Sequence, residues 1–125
     1  MEINPNSELM RQVRGALVVY LSSQPDRTAK AGDCQRAVCQ MIERQVNPAT
    51  MRVLRRHLGI ELSYQRAVAY WTLPTHLMPE VTEADRKLAR AMVRGKVRFA
   101  TLWRQASGRH QQVAEALAEL ARLAK

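Results

Sequence analysis

The chain has 125 residues, 46% of them apolar and 25% charged, which fits one compact domain and argues against a multi-domain enzyme. Lysine and arginine outnumber aspartate and glutamate by 20 to 11, giving a formal net charge of +9. This surplus predicts a polyanionic partner, whereas the apolar fraction is too high for a disordered polybasic tail. Aromatic residues make up only 5%, so few side chains can stack on bases.

No apolar run is long enough for a membrane span, and no charged and then apolar segment opens the chain as in a secretory signal. We therefore expect a cytoplasmic protein with no membrane partner. Cys34 and Cys39 are five positions apart, which fits neither a CxxC site nor a secreted disulfide framework. We interpret them as reduced thiols that pack as small apolar residues.

The first three predicted helices follow from apolar spacing and end signals. Apolar residues at helical spacing predict a helix from about Ser7 to Ser23 and a second from about Asp33 to Gln45, and the turn formers between them predict a loop that can include a short strand. Asn47 caps a third helix over Pro48 to Leu58, and Gly59 ends it. Its apolar residues face inward, so the outer sides carry Arg52, Arg55, Arg56 and His57.

Three further helices are predicted in the second half of the chain. Tyr64, Ala67, Val68 and Trp71 predict a short fourth helix, and the segment from Leu73 to Pro79 breaks the pattern. Thr82 and Asp85 resemble a capping box that opens a long fifth helix, extending to about Ala106. A sixth helix follows Gly108 and carries Val113, Leu117, Leu120 and Leu123.

Together these elements predict a mainly α protein, a single compact domain of about six helices with room for a minor β-hairpin. Residues 1–108 form the helical domain, and residues 109–125 form a C-terminal helix that packs on it or on a partner. The partner would be a second copy of the chain or another protein. Helical inhibitors and adaptors are therefore one class of function to consider.

Catalysis has little support in the sequence. There is no phosphate-binding glycine loop, no GxSxG and no HExxH, and the three histidines are too scattered for a metal site. Glu80 and Glu83 flank a helix start, where carboxylates interact favourably with the helix dipole and need no acid–base role. We predict a protein that is not an enzyme, with no catalytic residue, cofactor or metal ligand.

Two features of the basic helices suit nucleic acid. The segment VNPATMRVLRRHLGI resembles the recognition helix of a helix-turn-helix, with Thr50, Arg52, Arg55 and Arg56 available to DNA, although the preceding turn lacks the usual glycine. In the fifth helix a spacing of three and four residues predicts one basic side. That stripe consists of Lys87, Arg90, Arg94 and Arg98.

A wider pattern resembles the ProQ/FinO family of bacterial RNA-binding proteins. It consists, in order, of RTAKAG (27–32), a helix, VLRRHL (53–58), SYQRAV (63–68) and PEVTEADRKLAR (79–90). Arg27, Lys30 and Gly32 have the mutual spacing of an Arg, a Lys and a Gly in that family, and Tyr64 matches its tyrosine. The family's Arg-x-Asp-Leu-x-Gly hairpin is missing as such, and Pro74 to Leu77 occupy that region.

The resemblance implies a domain whose concave face holds the base of an RNA stem and its 3′ single-stranded tail. Such proteins act as RNA chaperones that protect small RNAs or promote their pairing with messages. RNA is then preferred over DNA, the arginines and Lys30 contact phosphates, and Tyr64 stacks or hydrogen-bonds unless it fills the core. The predicted RNA-binding residues are Arg27, Lys30, Arg52, Arg55, Arg56, Tyr64, Arg66, Lys87, Arg90, Arg94 and Arg98. A DNA-binding regulator and a protein-binding adaptor remain the alternatives.

Overall fold

The chain folds as a bundle of helices that carries one small antiparallel sheet, in a computed structural model that describes residues 7–78, 80, 82–105 and 109–123. The predicted fold class is confirmed: the described residues contain six α-helices, three strands and two short 3₁₀ turns. In chain order these are α1 (Glu8–Ser22), a 3₁₀ turn (Pro25–Arg27), β1 (Thr28–Lys30), α2 (Ala31–Ile42), α3 (Pro48–Leu58), β2 (Glu61–Gln65), β3 (Val68–Thr72), a 3₁₀ turn (Thr75–Leu77), α4 (Glu83–Val93), α5 (Phe99–Gln105) and α6 (Arg109–Leu123).

Helix α1 lies at the centre of the bundle, and its bounds agree with the first helix predicted from about Ser7 to Ser23. The Ser7 hydroxyl caps it by accepting a hydrogen bond from the Met10 amide. From Gly15 to Leu21 every residue is buried, because α2, α4 and α6 pack around it. A Cβ at Gly15 would lie 3.2 Å from Cζ3 of Trp103, so the missing side chain lets α5 approach closely. A helix that is apolar on all sides in this way forms the core of the domain.

Helix α3 confirms its predicted end signals, whereas both ends of α2 differ from the prediction. The Asn47 side-chain oxygen accepts a hydrogen bond from the Thr50 amide at 2.8 Å, and Gly59 adopts a left-handed conformation (φ 72°) that ends α3. Helix α2 begins two residues before the predicted Asp33 and ends at Ile42, three residues before Gln45, because Glu43 turns left-handed there.

The predicted fourth helix is wrong, because residues 61–72 form a β-hairpin. Gln65 pairs with Val68, so Arg66 and Ala67 alone make the turn, both at positive φ (51° and 66°). Strand β3 is rich in β-branched and aromatic residues, and its other edge pairs with β1, giving the order β1-β3-β2. The β2–β3 hairpin therefore precedes the Pro74 to Leu77 region in the chain. The predicted loop after α1 contains a short strand, β1.

The predicted long fifth helix is also wrong in its extent. The Thr82–Asp85 capping box is present, but α4 ends at Val93. Gly95, two residues later, adopts a left-handed conformation (φ 73°), and a separate helix, α5, begins at Phe99. The predicted stripe is therefore divided. Lys87 and Arg90 lie on α4, Arg94 is its C-terminal cap, and Arg98 precedes α5.

Helix α6 packs along α1, joined by ion pairs from Arg11 to Glu115 and from Arg14 to Glu119. Leu117 is 2% exposed and belongs to the core, whereas Leu120 and Leu123 remain 43% and 62% exposed. Of the apolar residues predicted to dock on a partner, Leu120 and Leu123 therefore remain exposed. No helix in the described part of the chain has the length and apolar character that crossing a membrane needs.

The hairpin turn gives a test of the fold. A residue with a side chain costs about 1 to 2 kcal/mol in the left-handed region, a cost that glycine avoids. We expect Ala67→Gly to raise the free energy of unfolding by about 1 kcal/mol in urea titrations. The matched control is Ala69→Gly, within β3 and without a positive φ, which should lower it by about 0.5 to 1 kcal/mol. Equal changes in the free energy of unfolding at the two positions would contradict the left-handed conformation of Ala67 in the turn.

Candidate nucleic-acid interface

A surface groove lies between the first turn of α2, helix α3 and the β2–β3 hairpin. Buried Met51 and Trp71 lie at its base. Ala31 and Gly32 bring the first turn of α2 to one side, where unpaired backbone amides and the positive end of the helix dipole favour anions. The other lining residues are Gln35, Pro48, Arg52, Arg55, Arg56, Leu62, Tyr64 and Ala69.

Three arginines of α3 provide the charge of this groove. Arg52 and Arg56 are exposed, and Arg55 is half-buried with its Nη1 donating to the Ile60 carbonyl at 3.0 Å. Helix α3 contains no aspartate or glutamate, and none of the residues that line the groove is acidic. Residues 44–79 together hold five arginines and one glutamate, so positive charge dominates locally as well as overall.

Tyr64 stands on the opposite wall and is not a core residue. Its side chain is 67% exposed on β2, and neighbouring Leu62, on the same face of the strand, is 40% exposed. All five residues of β2 are exposed, because this strand has a neighbour only on the β3 side. An exposed ring facing a basic helix is suited to stacking on an unpaired base.

The structure therefore brings four of the predicted residues together: Arg52, Arg55, Arg56 and Tyr64. Lys30 is exposed and directly precedes the lining residue Ala31 in the chain, but it is not among the residues that line the groove. Arg66 is exposed at the hairpin tip.

The other predicted residues lie elsewhere. Arg27 donates from Nε to the Leu73 carbonyl and from Nη2 to the Thr75 hydroxyl, at 3.1 and 2.8 Å, and so holds the start of β1 to the chain after β3. Arg90 forms an ion pair with Glu83 at 2.8 Å, and Arg98 forms one with Glu43. Two more, Lys87 and Arg94, are exposed on and after α4.

Sequence reasoning missed the parts of the groove that come from the hairpin and from the start of α2. The alternation of apolar residues after Ile60 was the signal for strands, but the Arg66–Ala67 turn lacks the Asn or Gly that normally marks a two-residue hairpin. Thr50, proposed for DNA contact, is only 7% exposed, so its side chain is not presented to a base.

Two described titratable groups have pKa values shifted away from those that an acid or a nucleophile needs at neutral pH. A hydrogen bond from Arg90 lowers the pKa of the Glu83 carboxyl, the opposite of what a general acid needs at neutral pH. Burial raises the pKa of the Cys34 thiol to about 12, with the Asp33 charge adding to the shift. Within the described ranges no three His, Cys, Asp or Glu side chains are grouped to hold a metal ion.

Comparison of the chain with protein-family models, with curated proteins and with solved structures finds no match in any of the three.

The Cys34 environment gives a chemical test of the core. Because the thiolate is the nucleophile, we expect Cys34 of the folded protein to resist alkylation at about pH 8 and to react once the chain is unfolded in urea. Mass spectrometry of the Cys34 peptide measures the two rates. Equal rates in the folded and unfolded protein would show that α2 does not bury this side chain.

Proposed function

We propose that this protein binds RNA through the groove between α2, α3 and the hairpin, as a cytoplasmic bacterial RNA chaperone. The proposed ligand is a structured stem with a 3′ single-stranded tail, and the proposed outcome is altered stability or pairing of small RNAs. One observation carries the proposal: three arginines and an exposed tyrosine line a groove that has no acidic lining residue. The order of short motifs shared with the ProQ/FinO family adds support and suggests a divergent member.

The chemistry of the groove favours RNA over duplex DNA. A-form RNA hides its major groove, so proteins contact phosphates and 2′-hydroxyls and bind unpaired ends, where bases stack on aromatic rings. The arginines of α3 suit the phosphates, and Tyr64 suits an unpaired base. A helix-turn-helix would instead need the outward side chains of α3 to reach base edges, but Thr50 is buried.

The distribution of ion pairs also favours this face. On the α1–α6 side the arginines are matched by carboxylates, with Arg11 on Glu115 and Arg14 on Glu119. By contrast, Arg52 has no hydrogen-bond or ion-pair partner in the part of the chain that the structure describes. An anionic ligand therefore gains more from the groove than from the paired surface.

Salt-dependent binding of four labelled probes tests the proposal. The probes are a stem with a 3′ tail, the same stem blunted, duplex DNA and single-stranded DNA, each titrated by fluorescence anisotropy at about 50 and about 200 mM salt. We expect the tailed stem to bind most tightly and to weaken steeply with salt. Equal and weak binding of all four probes at the higher salt would favour the protein-binding alternative, and preference for one duplex sequence would favour the DNA regulator.

A matched pair of substitutions locates the binding face. Arg52→Gln should lower affinity for the tailed stem and reduce the slope of log K against log salt by about 0.7 to 0.9, because one phosphate contact is lost. Arg44→Gln removes the same charge from an exposed residue outside the groove and should leave the slope unchanged. Equal losses from the two variants would mean that only net charge matters.

Substitutions of Tyr64 distinguish the contribution of base stacking to RNA binding from that of charge. We expect Tyr64→Ala to cost about 1 to 3 kcal/mol of binding free energy for the tailed stem and much less for the blunt stem. Tyr64→Phe keeps the ring and should bind nearly as well as the native chain. Because the side chain is 67% exposed, urea unfolding should change by less than about 0.5 kcal/mol. If Phe were as damaging as Ala, stacking would not be the role of this residue.

A further inference from the structure

A second basic cleft lies where α1 ends, formed by residues 22–27 before β1 and by Thr75, Met78, Arg86 and Arg90 after β3. The chain that follows α1, the 3₁₀ turn after β3 and one side of α4 enclose a volume of about 460 Å³. Three arginines line it, Arg27, Arg86 and Arg90, and none of them is among the residues that line the RNA groove. Arg86 was not among the predicted binding residues.

Arg27 is fixed in this cleft from two directions. Its backbone carbonyl accepts a hydrogen bond from the Leu73 amide at 2.9 Å, and its guanidinium donates to the Leu73 carbonyl and to Thr75. Asp26 and Arg27 both have positive φ (53° and 54°), which residues with side chains adopt only when their surroundings impose it. The guanidinium is therefore held in place, with N–H donors left over after its two hydrogen bonds.

The two arginines of α4 face the same cleft from adjacent turns of the helix, four residues apart. Arg90 uses one Nη2 hydrogen on Glu83 and keeps others. The Arg86 side chain is exposed and forms no hydrogen bond or close ion pair with another described residue, although its charge helps to lower the pKa of the Glu83 carboxyl. Ser22 and Ser23 donate their hydroxyls to carbonyls of α1, so the guanidinium groups are the main donors that the cleft offers.

We infer that this cleft binds a phosphate group. Planar guanidinium donors match the geometry of phosphate oxygens and bind them with two parallel hydrogen bonds, and three of them converge here. Asp26 also lines the cleft, and Glu83 is paired with Arg90, so two carboxylates offset part of the charge of the three arginines and leave the cleft net positive. The phosphate can come from a small phosphorylated ligand or from a nucleic-acid backbone, and in the second case the inference rests on the proposed RNA binding.

Titration of the isotope-labelled full chain with inorganic phosphate tests the site by NMR. We expect saturable shifts of the Gln24, Arg27 and Thr75 amides. Arg86→Gln removes a guanidinium that forms no hydrogen bond within the described residues, so it should weaken phosphate binding about tenfold without unfolding the chain. Arg44→Gln, which removes the same charge elsewhere, should leave the affinity unchanged. Shifts that do not saturate, or equal losses in the two variants, would overturn the inference.

Two further titrations identify the source of the phosphate and distinguish the cleft from the RNA groove. A nucleoside monophosphate that binds the cleft more tightly than inorganic phosphate would indicate a small ligand, and displacement of phosphate by the tailed stem would indicate a backbone contact. Arg52→Gln should weaken binding of the stem and leave phosphate affinity unchanged. Phosphate binding without RNA binding would reject only the proposed function, and RNA binding without saturable phosphate binding would reject only this inference.

Discussion

The burial of α1 on all sides is the constraint on which the rest of the molecule depends. From Gly15 to Leu21 this helix offers no polar face, so other helices must surround it, and every cationic side chain that they carry is displaced to the outside. A chain of 125 residues with a net charge of +9 can fold in this way because this buried segment carries no charge, and Arg11 and Arg14 of α1 precede it and pair with carboxylates of α6. The basic surface is a consequence of where the core lies.

Net charge alone does not identify a binding face, since ion pairs remove much of it locally. Four arginines of α1, α4 and α6 have carboxylate partners: Arg11 with Glu115, Arg14 with Glu119, Arg90 with Glu83 and Arg109 with Asp85. Helix α3 has no acidic residue, and no carboxylate lines the groove beside its arginines. A basic helix without acidic residues, next to an exposed ring, distinguishes the groove, and neither part would be sufficient by itself.

The elements that sequence reasoning predicted well are those fixed by neighbouring residues. The Asn47 cap and the Gly59 stop act over a few positions and define α3 correctly. The hairpin was read as a helix because its turn, Arg66–Ala67, has no glycine or asparagine and is stabilised by pairing of β3 with β1, some forty residues away in the chain. Likewise, the role of Arg27 depends on Leu73 and Thr75, which no local pattern could have shown.

Strand β2 is exposed along its whole length and has a hydrogen-bonded neighbour on one edge only. Detaching it from β3 would release few apolar contacts, so this part of the domain opens at a lower free energy than the helices around α1. The groove accordingly has one rigid wall, α3, and one compliant wall. In the proposed complex with RNA, the hairpin would adjust the width of the groove to single-stranded or paired RNA while the helices around α1 stay fixed.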